Sequence, residues 1–407
     1  MPLQLDRILA TPVAGDTVGA PPGAATTLGA VGDQGWMLRD LSPPVVTLRA
    51  SAIGHNLALM QAWTAEHRVE LFPHGKTTMA PQLWQRQLDA GAGGITGATP
   101  AQIRVMRGVG VPRSFLANEL VDAGAIGWLA RGLDGMEFAC WVDSTEGVTV
   151  LADAWGSAAG ATPLRVLVEV GHAGGRTGAR SFDAAMTVAE AAARRKELTV
   201  VGVAGYEGTI GHERTPAVLG EVDAFVSVLG DVSERVVSSG LVDGVPIVSA
   251  GGSLFFDRVA TLAERARVVL RSGCTITHDH GLYERGSPFA DGPGPRFRPA
   301  IEAWGSVLSR PEPEVAVIGL GKRDVPVDTD APIPLRMRDD DRSLDGMAVE
   351  RSMDQHAICR VPASLRLEVG EVVAFGISHP CAAFDRRRVL FELDDDDRVV
   401  GAVATLF

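Results

Sequence analysis

The chain has 407 residues, 46% of them hydrophobic, and a formal net charge of -12; that length can bury a large core, in two or three domains or in one barrel with a smaller partner. The acidic balance leaves no basic footprint for a phosphate backbone, so nucleic acid is not an expected partner. No stretch reaches the roughly 20 apolar residues of a membrane span, the N-terminus lacks a basic segment followed by an apolar core, and the four cysteines (Cys140, Cys274, Cys359, Cys381) have no paired spacing, so no membrane contact, zinc ribbon or disulfide framework is expected and a cytoplasmic location follows by default.

Residues 1 to about 35 are rich in Gly, Ala, Pro and Thr without a sustained period, and read as a loop or loosely packed arm; the arm is taken as residues 1–40, able to join a later β domain. "PPVVTLRASAIGHNLALMQAWTAEH" then gives a short extended segment and a helix, with Ser51 as N-cap and Ile53, Leu57 and Met60 on one face. Eight short apolar runs follow: "VELFPHG", "GITGAT", "SFLAN", "MEFACWVD", "LRVLVEVG", "VVGVAGYEG", "PIVSAGG" and "RVVLRSG". Stretches of helical period separate them. Near-continuous β-branched and Leu runs alternating with helices predict a parallel sheet covered on both faces, and eight such units predict an α/β fold, a closed (β/α)8 TIM barrel over residues 41–297, with a doubly wound open sheet as the runner-up. From residue 298 to 407 the texture changes to short strands divided by Gly, Pro and Asp turns, a separate C-terminal β domain in which Val325 to Arg342 would form a long surface loop.

Lys76 follows the first strand in "LFPHGKTTM", which places an amine at the C-terminal mouth where barrel sites form. A surface lysine opening a helix is the plainer alternative. "VGHAGGRTG" after the fifth strand supplies His172, Arg176 and Thr177 in a Gly-rich loop, and "GYEGTIGH" after the sixth supplies Tyr206, Glu207 and His212. "VSAGGS" ends the seventh, where Gly251 and Gly252 let backbone N–H groups approach an anion and Ser253 adds a hydroxyl. An ordinary tight turn would look the same. "THDHGLYERG" is a polar cluster beyond the eighth strand, where His278 and His280 have a metal-like spacing or simply line the mouth as hydrogen-bonding groups. In "SHPCAAFD", His379 and Cys381 would project from one side of an extended segment, an imidazole and a thiolate suited to zinc or another borderline metal. Asp385 would orient His379 or cap a turn.

In this order, "PHGKT", "GYEG", "SAGGS" and "SHPCAAFD" resemble the motifs of the D-serine dehydratase and D-threonine aldolase family, alanine racemase-like enzymes of the fold-type III pyridoxal-phosphate group. The resemblance runs through nearly the whole chain after residue 40. It implies pyridoxal 5'-phosphate carried on Lys76 as a Schiff base, with Thr177 and Tyr206 as cofactor contacts and Gly251 and Gly252 as phosphate binders. His74, Arg176, Ser249, Ser253 and Thr275 join the implied cofactor set. His379 and Cys381 become the ligands of a divalent metal, zinc before manganese or magnesium, and His172, His212, Asp279 and Asp385 stand as substrate-side or supporting groups. It further implies a head-to-tail homodimer in which the β domain of one subunit covers the barrel mouth of the other. Gly75, Thr78 and "GCTITHDHGLY" depart from the family pattern, which touches the substrate more than the cofactor.

The activity implied is lysis of a β-hydroxy D-amino acid. D-serine dehydratase-like release of a 2-oxo acid and ammonia is favoured because a His and Cys pair resembles the zinc site of those enzymes. Retro-aldol cleavage to glycine and an aldehyde is the alternative. A racemase leaves the metal motif unexplained and has only Tyr283 beside Tyr206. Two readings of other classes remain: a non-catalytic pyridoxal-phosphate carrier, which needs no second domain, and a cofactor-free metal-dependent hydrolase, which would be colourless.

Overall fold

The computed structural model describes residues 2–133, 135–158, 162–290 and 293–407. Its larger part is built on eight parallel strands: β1 (Glu70–Leu71), β2 (Ile95–Gly97), β3 (Arg113–Glu119), β4 (Glu137–Val142), β5 (Leu164–Val170), β6 (Leu198–Gly205), β7 (Ile247–Ala250) and β8 (Arg267–Leu270). Each pairs with the next from β2 to β8, and β8 pairs back to β1 through Val269↔Glu70 and Leu270↔Leu71. His74 bridges in parallel to Thr96, and the Thr96 N–H donates to the Pro73 carbonyl at 2.9 Å. Those contacts join β1 to β2. The eight apolar runs therefore form a closed barrel and not the open sheet.

The helices start where short polar side chains can cap them. Thr99, Asp122, Ser144, Ser181 and Thr215 each accept a hydrogen bond from the backbone N–H three residues on, at the heads of Pro100–Gly108, Ala123–Ala130, Thr145–Ser157, Phe182–Ala193 and Pro216–Ser238, satisfying a donor that the first turn would leave open. Inside the barrel, Phe72, Phe115, Trp141, Leu167, Ile247 and Val269 pack as one apolar plug, with the Phe72 and Phe115 rings stacked at 4.9 Å. The barrel is a filled core that presents its open end to ligands.

The β domain is a nine-stranded sheet system centred on the strand Ile301–Glu312. That strand pairs antiparallel with Val372–Gly376 (Trp304↔Ala374) and with Val45–Arg49 (Ala303↔Val46). Val45–Arg49 also runs parallel to Val389–Leu393 (Phe391↔Thr47). The segment before the barrel, expected within residues 41–297, is thus a strand of the other sheet. The Trp304 indole donates to Thr47 Oγ1 at 2.9 Å, and Arg86 on the barrel helix Pro81–Asp89 forks onto Glu392, so the two parts share one joint.

Three local expectations change. The N-terminal arm is packed: Leu28 is 2% exposed, Val13 and Val31 are fully buried, and Pro12–Ala14 pairs with Ala25–Thr27. Its few aliphatics lack a period because they anchor turns. Ser51 is not the N-cap of the helix Ala50–Glu66; Arg49 holds that position with no side-chain cap, and the Ser51 hydroxyl donates to Asp395 instead at 2.6 Å. Within Val325 to Arg342, Ile333–Met337 is a strand paired with Val372–Gly376, its alternation masked by the prolines and charges around it. No helix among the described residues is long and apolar enough to cross a membrane.

Candidate active site

Strand alternation builds the mouth of the barrel. Counting two residues on from the plug residues, or four from Phe115, brings His74, Glu119, Asp143, Glu169, Ser249 and Arg271 inward at the C-terminal ends of their strands. This ring of polar groups sits on an apolar floor. Several of its atoms are shut off from water with no hydrogen-bond partner among the described residues: His74 Nδ1, both Glu119 carboxylate oxygens, Trp141 Nε1, Glu169 Oε2 and Arg271 Nε. Buried polar atoms are nearly always paired, so a cluster of unpaired ones at one end of a barrel marks a place for a ligand.

Lys76 stands beside that ring on the single turn Gly75–Thr77. It is half-buried with no ion pair among the described residues, whereas Lys196 and Lys322, the other lysines of the chain, are exposed. A Cβ on Gly75 would come within 2.7 Å of Ile95 and Met106, so glycine lets the lysine turn press against β2. Burial first, and then Lys76, Arg271 and Arg176, hold the His74 imidazole well below its ordinary range. Arg271 is 4% exposed, gives its terminal nitrogens to Ser249 Oγ (2.9 Å) and the Gly205 carbonyl (2.7 Å), and lies over the Trp141 ring.

The Arg176 guanidinium lies 4.5 Å over the Tyr206 ring. Burial, and after it Glu207, push the Tyr206 hydroxyl up to about 12. The loop that carries Arg176 and Thr177 is pinned: Arg180 donates to the His172 carbonyl at 2.6 Å, and Asp143 accepts the Gly178 N–H at 3.1 Å. His172 Nε2 is spent on Thr209 Oγ1 at 2.8 Å, and both Thr177 and His212 are exposed.

The Gly-rich turn differs from its expected role. Gly251 and Gly252 both donate their N–H groups to the fully buried Glu207, at 3.2 and 2.5 Å, and are not left open to an anion. Glycine is still required at residue 251, with φ +87° and a would-be Cβ 2.5 Å from Leu270. Ser253 Oγ accepts the Cys274 N–H at 3.2 Å, Ser249 anchors Arg271, and Thr275 Oγ1 reaches the Ser272 carbonyl at 3.5 Å.

His379 and Cys381 do not lie on an extended segment. His379 has φ +65°, and Cys381 opens the short helix Cys381–Phe384. The two side chains nonetheless act on each other: Cys381 first, and then Asp328, push His379 up to about 9. Asp328 Oδ2 stands 2.6 Å from His379 Nδ1. Asp385, expected in that role, pairs with Arg386 at 3.0 Å. Cys274 Sγ lies 3.5 Å and Thr77 Oγ1 3.3 Å from Cys381 Sγ; Cys274 first, then His379 and Thr77, hold the Cys381 thiol well below its usual range. Cys274 and Cys381, far apart in sequence, are neighbours here, and Tyr283 joins them with its own hydroxyl pushed well up by burial. Asp279 is fully buried and works as a clamp, accepting the Gly281 and Tyr283 N–H groups (both 2.9 Å) and that of His379 (2.8 Å). His278 pairs with Glu284 at 3.0 Å and His280 packs against Gly376, so these histidines form no metal pair. Among the described residues no group of three or more His, Cys, Asp and Glu is gathered as a ready-made cage.

Two family profiles match successive parts of the chain: the alanine racemase N-terminal domain matches residues 48–243 and the putative serine dehydratase domain residues 300–392. The chain is thus similar to the D-serine dehydratase and D-threonine aldolase family of fold-type III pyridoxal-phosphate enzymes. It is 23% identical over 350 residues to the D-threonine aldolase of Arthrobacter sp, covering 86% of this chain and 88% of that one. The crystal structure of D-threonine aldolase from Filomicrobium marinum superposes with a TM-score of 0.78 at 25% identity, over 91% of this chain and 96% of that chain. D-threo-3-hydroxyaspartate dehydratase from Delftia sp. HT23 shares the fold, with a TM-score of 0.76 at 20% identity over 91% and 99% of the two chains.

The mouth fits the cofactor of this family. Among the described residues it offers a half-buried amine with no carboxylate partner, a buried guanidinium with one unpaired N–H, and an imidazole acted on by three cationic groups. Arg271, Glu119, Glu169, Asp328 and Cys274 were given no role in the sequence reading, and Glu207 was named there without its part in the glycine turn. Arg271, Glu119 and Glu169 carry a usable signal, a charged residue at the inward parity just where an apolar run ends.

Proposed function

We propose that this protein is a pyridoxal-phosphate- and metal-dependent lyase of β-hydroxy D-amino acids, acting as a dehydratase. The observation that carries the reading is the 3.3 Å contact between Thr77 Oγ1 and Cys381 Sγ, which ties the turn of Lys76 to the imidazole–thiolate pair. When bound, the cofactor supplies an electron sink for charge at Cα and the metal a Lewis acid at the β-oxygen. Lys76, without an ion pair among the described residues, takes the proton from Cα and holds it at Nζ. Arg271 and Arg176 draw an anionic molecule onto the plug, and Tyr206, stacked under Arg176, walls the site. His379 and Cys381 would hold the metal while leaving open positions, as catalytic sites do, and Asp328 fixes the imidazole with Nδ1 turned away from it.

Cleavage of the Cα–Cβ bond is the second reading, favoured by the D-threonine aldolase of Arthrobacter sp. Assays of D-serine, D-threonine and D-threo-3-hydroxyaspartate, with and without chelator, separate the two. Oxo acid and ammonia support the dehydratase, and glycine with an aldehyde overturns it.

A further inference from the structure

Glu119 and Glu169 have no role in the reading above. Each ends a strand, β3 and β5, at an inward position, and side chains from alternate strands of a barrel share one layer. Glu169 is 5% exposed. Three of their four oxygens are shut off from water with no donor among the described residues, and the Glu119 and Glu169 carboxyls lie close enough to act on each other. Two carboxylates side by side out of water repel, so the pair favours keeping one proton. Burial comes first among the causes that raise Glu119, followed by Glu169 and Asp143, and they push it up to about 9. Two buried carboxyls with idle oxygens add nothing to a barrel floor already packed with Phe72, Phe115 and Trp141.

Their position says what they face. In a ring of eight strands, β3 lies across from β7 and β5 across from β1. Lys76 follows β1 and Arg271 follows β8. A molecule drawn to that cationic side and reaching Lys76 therefore turns its remaining edge to Glu119 and Glu169. We propose that Glu119 and Glu169 share one proton, and that Glu119 presents it as a hydrogen-bond donor to an anionic ring oxygen of the cofactor seated on the plug. This rests on the cofactor reading above. Once the proton is lost, two carboxylates face that oxygen, and attraction becomes repulsion.

The test measures cofactor affinity and the absorption band of the bound cofactor from about pH 7 to pH 10, the range that brackets the raised carboxyl. Wild type should lose affinity at least about tenfold across it, as for a charge-assisted hydrogen bond. Glu119→Gln keeps a donor and should hold near-wild-type affinity with a flat profile; Glu119→Ala should already be about tenfold weaker at pH 7. A second readout uses the protein before reconstitution. Between the ordinary carboxyl range and about 9 the native form binds the extra proton, so thermal stability should fall as pH rises in wild type and fall less in Glu119→Gln. A stability slope with a pH-flat cofactor band and affinity overturns the donor role alone. Equal slopes in the two proteins overturn the shared proton. Absence of any cofactor chromophore overturns the parent reading, and the donor role with it, while the slopes still decide the proton.

Discussion

Asp328 reaches His379 from 51 positions away in the chain, and no local pattern announces it. If it fixes the imidazole for a metal, Asp328→Asn should weaken zinc affinity about 10- to 100-fold, read by competition with a chromophoric chelator. Asp385→Asn, beside the motif in sequence but paired with Arg386, should leave that affinity unchanged. His379 also sets the pH dependence. Its proton, held up to about 9, competes with the metal; zinc affinity should therefore climb with pH by up to about tenfold per unit until about 9 and then level. An affinity that is flat or falls over that range would remove His379 from the site. Lys76 was legible because an amine ending the first apolar run needs only strand order to be placed. The Cys274–Cys381 contact was not, because 107 residues separate the two sulfurs.

At the scale of elements, the fold was legible wherever a period existed. The eight apolar runs became β1 to β8, whereas the one cap read from the sequence, Ser51, gave way to Arg49. What no period shows is a distant partner: Gly251 and Gly252 form the tight turn weighed for them in the sequence, and their N–H groups meet Glu207. Asp279 is the element-scale counterpart of a catalytic group, since one carboxylate holds both the head of Leu282–Gly286 and the backbone of His379. Asp279→Ala leaves those buried N–H groups unpaired and should cost about 1–3 kcal/mol for each donor left dry. Denaturant unfolding would measure that loss, and zinc affinity should fall alongside it. Lost stability with unchanged zinc affinity would make Asp279 a clamp for the helix alone.

For the whole molecule, the β domain and the barrel are one folding problem. Val45–Arg49 is strung between Ile301–Glu312 and Val389–Leu393, so the chain enters the second sheet before it builds the first. Sequence texture, which changes only near residue 298, hid that crossing. The N-terminal arm was misread for a related reason: its Leu3, Ile8, Val13, Leu28 and Val31 are buried, yet short turns space them irregularly. Leu28→Ala should destabilise the protein by about 2–5 kcal/mol, the value for a core leucine, measured by chemical denaturation; a change near zero would restore the loose arm. The central claim concerns Lys76, one of only three lysines in the chain. Borohydride reduction of the cofactor-reconstituted protein followed by peptide mapping should place the label on Lys76, and Lys76→Ala should take none. Label on Lys196 or Lys322, or no label at all, would contradict the account.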